Sequence, residues 1–198
     1  MREPRGAPVL RIVLSCLVRE AVNATEADYL HNGDDESTKF AHYCALKRCD
    51  GMPAYLRYRR SATFSFGRSV KTRLRCDTHD LQIDAGRRGG VPRPRRLCEC
   101  CPLGESHNLV EDARHFMFDC ALYDDIRLNM YDKIDEITMR FDHVGWRRMS
   151  WAQKFRFLLG DGPNPDSTPD VWRQWSAIEV TFYFYLANAW NRRQRLRD

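Results

Sequence analysis

The chain has 198 residues, 43% of them hydrophobic, enough for one buried core with at most a small satellite beside it. Its 32 basic residues outweigh 27 acidic ones by +5, and only Lys39, Lys47, Lys71, Lys133 and Lys154 among the basic residues are lysines. Arginine's planar fork suits phosphate and base edges, so the imbalance leans toward an anionic partner, weighed against the plainer reading of an arginine-rich solvated surface.

No run approaches the roughly 18 uncharged apolar residues of a membrane span. The apolar stretch "PVLRIVLSCLV" is interrupted by Arg11 and is followed by no clear cleavage site, so a signal peptide is not expected either. The chain reads as soluble and intracellular, nuclear or cytoplasmic, where its eight cysteines point to metal binding rather than to disulfides and the sequon at Asn23 carries no meaning.

In chain order, residues 1–37 close in the polar run "HNGDDEST" and form an N-terminal extension whose first helix the pattern leaves open. Residues 38–97 are a helical segment with a basic loop. Within it "TKFAHYCALKRC" sets Phe40, Tyr43, Cys44 and Leu46 on one helical face and stops at Gly51 and Pro53. A second helix carrying Val70 and Leu74 ends near Cys76, and Leu81 and Ile83 follow at a different period. "GRRGGVPRPRRL", residues 86–97, is expected to stay irregular because its prolines and glycines oppose regular structure.

Residues 98–130 hold the cysteine cluster and a following helix, on which Leu122, Ile126, Met130, Ile134 and Ile137 recur at three and four residue spacing. Residues 131–198 are a C-terminal helical segment. Ser150 and Gln153 form a capping-box pattern at the start of "SWAQKFRFLLG", which closes at Gly160, and Asp170 is placed to cap the long run "VWRQWSAIEVTFYFYLANAWNRRQRLR". Trp175, Phe182 and Leu186 on that run are expected in the core. Base stacking by Trp172, Trp175, Phe182, Tyr183, Tyr185 and Trp190 is the competing reading. The fold class is mainly α: a small helical domain with an embedded Cys-Cys-His-Cys zinc knuckle and a long aromatic-rich C-terminal helix.

Cys98 and Cys101 form a Cys-x-x-Cys pair, a spacing that lets two thiolates face one point, and His115 with Cys120 supplies the second pair in the pattern Cys-x2-Cys-x13-His-x4-Cys. Cys100 competes with Cys101, and His107 could replace His115 if the loop folded back. A redox pair and a buried metal-free cluster are the alternatives, the first without a thioredoxin-like strand and helix pattern around it. Four protein ligands leave no open position for water, even with Glu111 close by, so a zinc ion here is expected to be structural.

The succession of these pieces resembles the region downstream of the reverse transcriptase in non-LTR, LINE-like retrotransposon polyproteins, over residues 39 to about 130. The residues that carry the resemblance are Leu74 and Arg75; Leu81 to Arg87; Pro92 and Arg93; Cys98 and Cys101; Glu111 and Asp112 before His115 and Phe116; and Cys120, Tyr123 and Arg127. Asp77 stands where the family has glycine, and Cys100 is an additional thiol. The resemblance implies a zinc knuckle that grips template RNA or target DNA, with catalysis elsewhere in the polyprotein and a reverse transcriptase body as a further partner. The chain is too short for the fingers and palm of a polymerase and is expected to be a detached fragment of such a polyprotein or a gene derived from one.

Two catalytic patterns compete. Tyr123, Asp124 and Asp125 echo a polymerase turn but fall on a helical pattern, where acids suit a helix N-terminus. Pro165, Asp166 and Glu179 echo a restriction-like endonuclease, but Thr181 stands where a lysine is usual, and the ordinary reading makes Glu179 a surface helix residue. The function expected is therefore a non-catalytic nucleic-acid-binding zinc module, with phosphate contacts from Arg73, Arg75, Arg87, Arg88, Arg93, Arg95 and Arg96. A zinc-organised protein-interaction domain is the alternative, and a nuclease remnant comes third.

Overall fold

The computed structural model describes Leu46 and residues 62–101, 109–139, 146–163 and 166–197. The helix expected over residues 38–49 lies outside this set apart from Leu46, which is helical and buried. Five α-helices follow: α1 (Ala62–Arg75), α2 (Gln82–Arg88), α3 (Asp124–Met139), α4 (Trp151–Leu159) and α5 (Pro169–Arg195). The described chain is mainly α and contains no strand, only an isolated antiparallel bridge between Leu97 and Val110.

The long helix α5 is the spine against which α1 and α3 pack. Pro169 sits in its first turn, where a missing N–H costs nothing, and Arg192, Arg193 and Arg195 close its last turn. Its cap is Thr168, whose hydroxyl accepts the Val171 N–H at 3.5 Å, and not Asp170, which lies one position inside the helix. The buried stripe of Trp175, Ile178, Phe182, Tyr185, Leu186, Ala189 and Trp190 recurs every three or four residues. This burial overrides the strand propensity of "EVTFYFY", and Trp175, Phe182 and Leu186 are core residues as expected. One cluster of buried side chains runs from Leu46 through α1, the cysteine loop, α3 and α4 to Trp190.

α1 crosses α5 at Gly67. A Cβ there would stand 2.3 Å from the Tyr183 carbonyl oxygen, so only glycine allows the two backbones this close. The helix ends in a Schellman turn: Thr78 N–H donates to Arg73 O at 2.9 Å and Asp77 N–H to Leu74 O at 3.4 Å. Asp77 has φ +49° there, the left-handed conformation that glycine adopts freely and that aspartate tolerates. α4 carries the expected capping box, with Gln153 N–H on Ser150 Oγ at 3.3 Å and Ser150 N–H on Gln153 Oε1 at 2.8 Å. Gly160 caps the end of α4, its extended backbone leaving the helix, and a Cβ there would meet the Arg156 carbonyl at 2.5 Å.

The stripe that α1 buries contains two cations. Lys71 Nζ meets Glu179 Oε1 at 2.5 Å, and Arg75 reaches Asp161 at 2.6 Å while donating to the Leu159 carbonyl at the end of α4. Glu179 is therefore an interior residue, a correction to its reading as a surface acid: it lies where α5 faces α1 and the lysine neutralises it. Burial pushes the Lys71 pKa down and the Glu179 pKa up, while their mutual attraction opposes both shifts. Arg75 is fully buried and cannot reach a phosphate.

The segment expected to be irregular begins as helix, since α2 runs on to Arg88. Asp84 takes Arg87 at 2.6 Å and Arg88 at 2.7 Å across one helical turn, holding residues that glycine would otherwise loosen. Beyond Gly90, at φ +69°, Arg93–Arg95 make one 3-10 turn.

Two outcomes follow for stability. Gly67→Ala should lower the unfolding free energy in a urea titration by about 1 to 3 kcal/mol through overpacking against Tyr183. Glu179→Ala, which strands the Lys71 ammonium, should lose about 3 to 5 kcal/mol, whereas Lys71→Met combined with Glu179→Leu should recover most of that loss.

Candidate metal centre

The cysteine loop is pinned at its base by the Leu97 and Val110 bridge, with Cys98 N–H donating to Leu109 O and Glu111 N–H to Arg96 O, both at 2.9 Å. Cys98 and Cys101 sit at the head of this loop. The returning chain leads through Asp112, whose Oδ1 accepts the His115 N–H at 2.8 Å, into a single π-helical turn, His115–Asp119. Cys120 N–H closes that turn on His115 O at 2.8 Å.

The wide turn matters for the ligand set. In an α-helix, five residues rotate through about 500°, which leaves the side chains at the two ends pointing well apart. A hydrogen bond from residue i+5 back to i widens the turn so that five residues come close to one revolution, and His115 and Cys120 then share a side.

The donor atoms of Cys98, Cys101, His115 and Cys120 all lie within 4.8 Å of one another, and all four residues are buried. Cys101 Sγ and His115 Nε2 are 3.6 Å apart. A tetrahedral centre with bonds of about 2.3 Å to sulfur and about 2.0 Å to nitrogen has sulfur–nitrogen edges of about 3.5 Å and sulfur–sulfur edges of about 3.8 Å. The four residues thus fit a metal ion with adjustments of an ångström or less.

The thiols carry a matching electrostatic signature. The Cys120 thiol, donating a hydrogen bond to Cys98, holds the latter's pKa down at about 3, with His115 contributing, while the same contact and burial push Cys120 far up. One thiolate is stabilised by its neighbours, and a cation would allow all three to ionise together. Cys100 stays outside the set. It is half-buried, and burial raises its thiol to about 11. His107 lies outside the described residues.

The surrounding groups hold the ligands in place. Glu111 takes Arg193 with both oxygens, at 2.7 and 2.8 Å, and its Oε2 also accepts Gln82 N–H, the start of α2, at 2.8 Å. This carboxylate is buried and engaged, which leaves it no role as a general base. Arg127 donates to the Cys120 carbonyl at 2.8 Å and pairs with Asp124. The Tyr185 hydroxyl lies 3.0 Å from the carbonyls of Phe116 and Met117 in the π turn, and Phe116 packs edge-on to Tyr123 and Trp190.

The expected arginines divide. Arg75 and Arg96 are buried, Arg96 donating from Nε to Val91 O at 2.8 Å and from Nη1 to Ile83 O at 3.1 Å. The Arg96 stem lies over Gly86, where a Cβ would come within 2.7 Å of its Cγ, so both arginines are corrected from phosphate contacts to internal connectors. Arg87 is shared between Asp77 and Asp84, and Arg88 between Asp84 and Asp80. Arg73 and Arg95 are exposed and Arg93 half-exposed, and none of the three forms an ion pair with a described residue. The Arg193 anchor went unnoticed in the sequence. Its signal was its place three residues beyond Trp190 on the buried stripe of the last helix.

The competing catalytic patterns are also placed. Asp124 and Asp125 open α3 at the surface, paired with Arg127 and Arg192, and the Arg192 contact holds the Asp125 carboxyl down at about 2. Asp166 is exposed while Glu179 is inside with Lys71, so the two cannot share a metal; Pro165 lies outside the described residues. No described helix is long and apolar enough to cross a membrane. Comparison with protein-family models, curated proteins and solved structures gives no match.

Metal analysis of the purified protein should find one ion per chain. Cys101→Ser should lose it and Cys100→Ser keep it, and a strong chelator should lower the thermal midpoint of the wild type sharply, because metal binding free energy is folding free energy.

Proposed function

We propose that the chain is a non-catalytic, zinc-organised nucleic-acid-binding module of the kind that lies downstream of the reverse transcriptase in non-LTR retrotransposon polyproteins. The observation that carries this reading is the buried set of Cys98, Cys101, His115 and Cys120, reached through a turn bearing Arg93 and Arg95. Three thiolates and an imidazole are a soft donor set of tetrahedral reach, which favours Zn2+ over magnesium or calcium, and four protein ligands make the ion structural.

The residues of the resemblance support the reading by what they do together. Leu74 fills the core, Asp77 takes the left-handed turn, Gly86 admits Arg96, Glu111 and Asp112 hold the loop and His115, and Tyr123 and Arg127 pack behind Cys120. Of the arginines expected to contact phosphate, Arg73, Arg93 and Arg95 are accessible without an ion pair to a described residue, and Arg87 and Arg88 are accessible while paired with Asp77, Asp80 and Asp84.

A second reading has its own observation. A largely apolar cleft of about 370 Å³, lined by Trp146, Met149, Phe157, Trp175 and Ile178, would accept an apolar side chain of a protein partner such as a polymerase body. A binding titration separates the two readings. Zinc-loaded protein is expected to bind short single-stranded RNA or duplex DNA with an affinity that falls steeply with salt. The Arg93→Ala and Arg95→Ala double variant should weaken binding and reduce the log–log salt slope by roughly one unit for each phosphate no longer neutralised. Folded, zinc-containing protein that binds neither nucleic acid would favour the interaction domain instead.

A further inference from the structure

Cys120 closes the π turn and at once caps the next turn, the 3-10 segment Ala121–Tyr123, where Tyr123 N–H donates to the Cys120 carbonyl at 3.1 Å. Residues three apart in a 3-10 turn come to the same side, so the Cys120 and Tyr123 side chains leave the turn together. The Tyr123 ring lies edge-on to that of Phe116, the residue after His115, with centroids 5.1 Å apart. Only 1% of Tyr123 is exposed, and its hydroxyl is buried without a hydrogen bond to any described residue.

A buried hydroxyl without a partner is destabilising, and phenylalanine fills the same space without that penalty. Tyr185 shows the contrast: its hydroxyl, equally buried beside the same π turn, lies 3.0 Å from the carbonyls of Phe116 and Met117. The neighbours of Tyr123 narrow the acceptors open to it. Beyond burial itself, the groups that act most strongly on the phenol are Cys120 and Cys100, followed by Glu111 and Arg193. Arginine has no acceptor, and the Glu111 oxygens are engaged by Arg193 and Gln82 N–H and take no bond from the phenol. Sulfur remains.

A neutral thiol is a weak acceptor, whereas a thiolate carries the charge that makes a hydrogen bond strong. Cys100 stays outside the ligand set, so Cys120 is the sulfur beside Tyr123 whose charge changes when an ion is held. Resting on the metal-centre reading above, we propose that Tyr123 is a positioning residue for that centre, its hydroxyl donating to the Cys120 thiolate. The thiol proton is released to solvent as an ion binds, and the phenol O–H takes its place beside the sulfur, spreading part of the negative charge that three thiolates bring to one point.

The test uses the full chain loaded with cobalt(II), whose thiolate-to-metal charge-transfer absorption reports electron donation from sulfur, together with zinc titrations against a competing chelator. Tyr123→Phe removes one oxygen and keeps the ring that Phe116 packs on. It should move the charge-transfer band to longer wavelength, because a sulfur relieved of a hydrogen bond donates more readily, and should weaken zinc binding roughly tenfold. Tyr185→Phe and Cys100→Ser should leave the band in place. Weaker zinc binding with an unshifted band would overturn the proposal, since a packing fault does not alter donation from sulfur. A Tyr123→Phe protein that matches wild type in both readouts would overturn it too, while the metal centre stands. An equal band shift in Cys100→Ser would place the hydrogen bond on Cys100 and remove the assignment to Cys120. Wild type that takes up neither ion removes the metal centre and the proposal together.

Discussion

Glu111 and Arg193 form the contact on which the cysteine loop, the second helix and the long C-terminal helix all depend. The carboxylate is reached by two guanidinium nitrogens at 2.7 and 2.8 Å and by the first amide of α2 at 2.8 Å. Its own backbone carries the loop: Glu111 N–H is bonded to Arg96 O, and Glu111 O accepts from Ile83 N–H. Arg193 in turn holds the Asp80 carbonyl. Both side chains are nearly inaccessible to water, so removing either would leave a charge buried without its counterion, a far larger penalty than the loss of an exposed pair. The ligand loop is thus welded to the spine of the fold, and the ligands do not form a separate knuckle on a flexible tether.

The same economy explains why the chain is so rich in arginine. Arg75, Arg96, Arg127 and Arg193 are all buried, and each donates to a backbone carbonyl, of Leu159, of Val91 and Ile83, of Cys120 and of Asp80 respectively. A fold whose metal loop and turns have few regular backbone partners must satisfy those carbonyls in other ways, and arginine's five donors on a long stem can do so. Composition alone attributed these cations to an anionic partner. Burial takes Arg75 and Arg96 out of that set and leaves Arg73, Arg93 and Arg95 accessible.

What could be read from the chain in advance was local. The Cys-x-x-Cys pair, the Ser150 and Gln153 capping box and the three-and-four spacing of Met130 and Ile134 depend on neighbours within one or two turns, and each is found where the spacing placed it. The misses depended on distant partners. Glu179 is interior because Lys71 lies 108 positions earlier in the chain, and no window around Glu179 contains that information. Arg75 and Arg96 read as solvent-facing from their surroundings, yet their carbonyl partners come from other elements. The choice of Thr168 over Asp170 as the α5 cap turned on Pro169, whose fixed φ suits the first helical position and so makes the residue before it the cap. The π turn had a faint signal in the five-residue step from His115 to Cys120, which an α-helix cannot bring to one side.

The central claim, that the metal loop and the long helix are one cooperative unit joined through Glu111 and Arg193, is tested most directly by a double-mutant cycle. Unfolding free energy and zinc affinity would be measured together for Glu111→Gln, Arg193→Met and the pair. Each single variant should lose about 3 to 5 kcal/mol, and the double variant should reveal a coupling of about 1 to 3 kcal/mol, with zinc affinity falling alongside stability. Additive losses, with zinc affinity unchanged in all three proteins, would contradict the claim and make the metal loop independent of the helix it leans on.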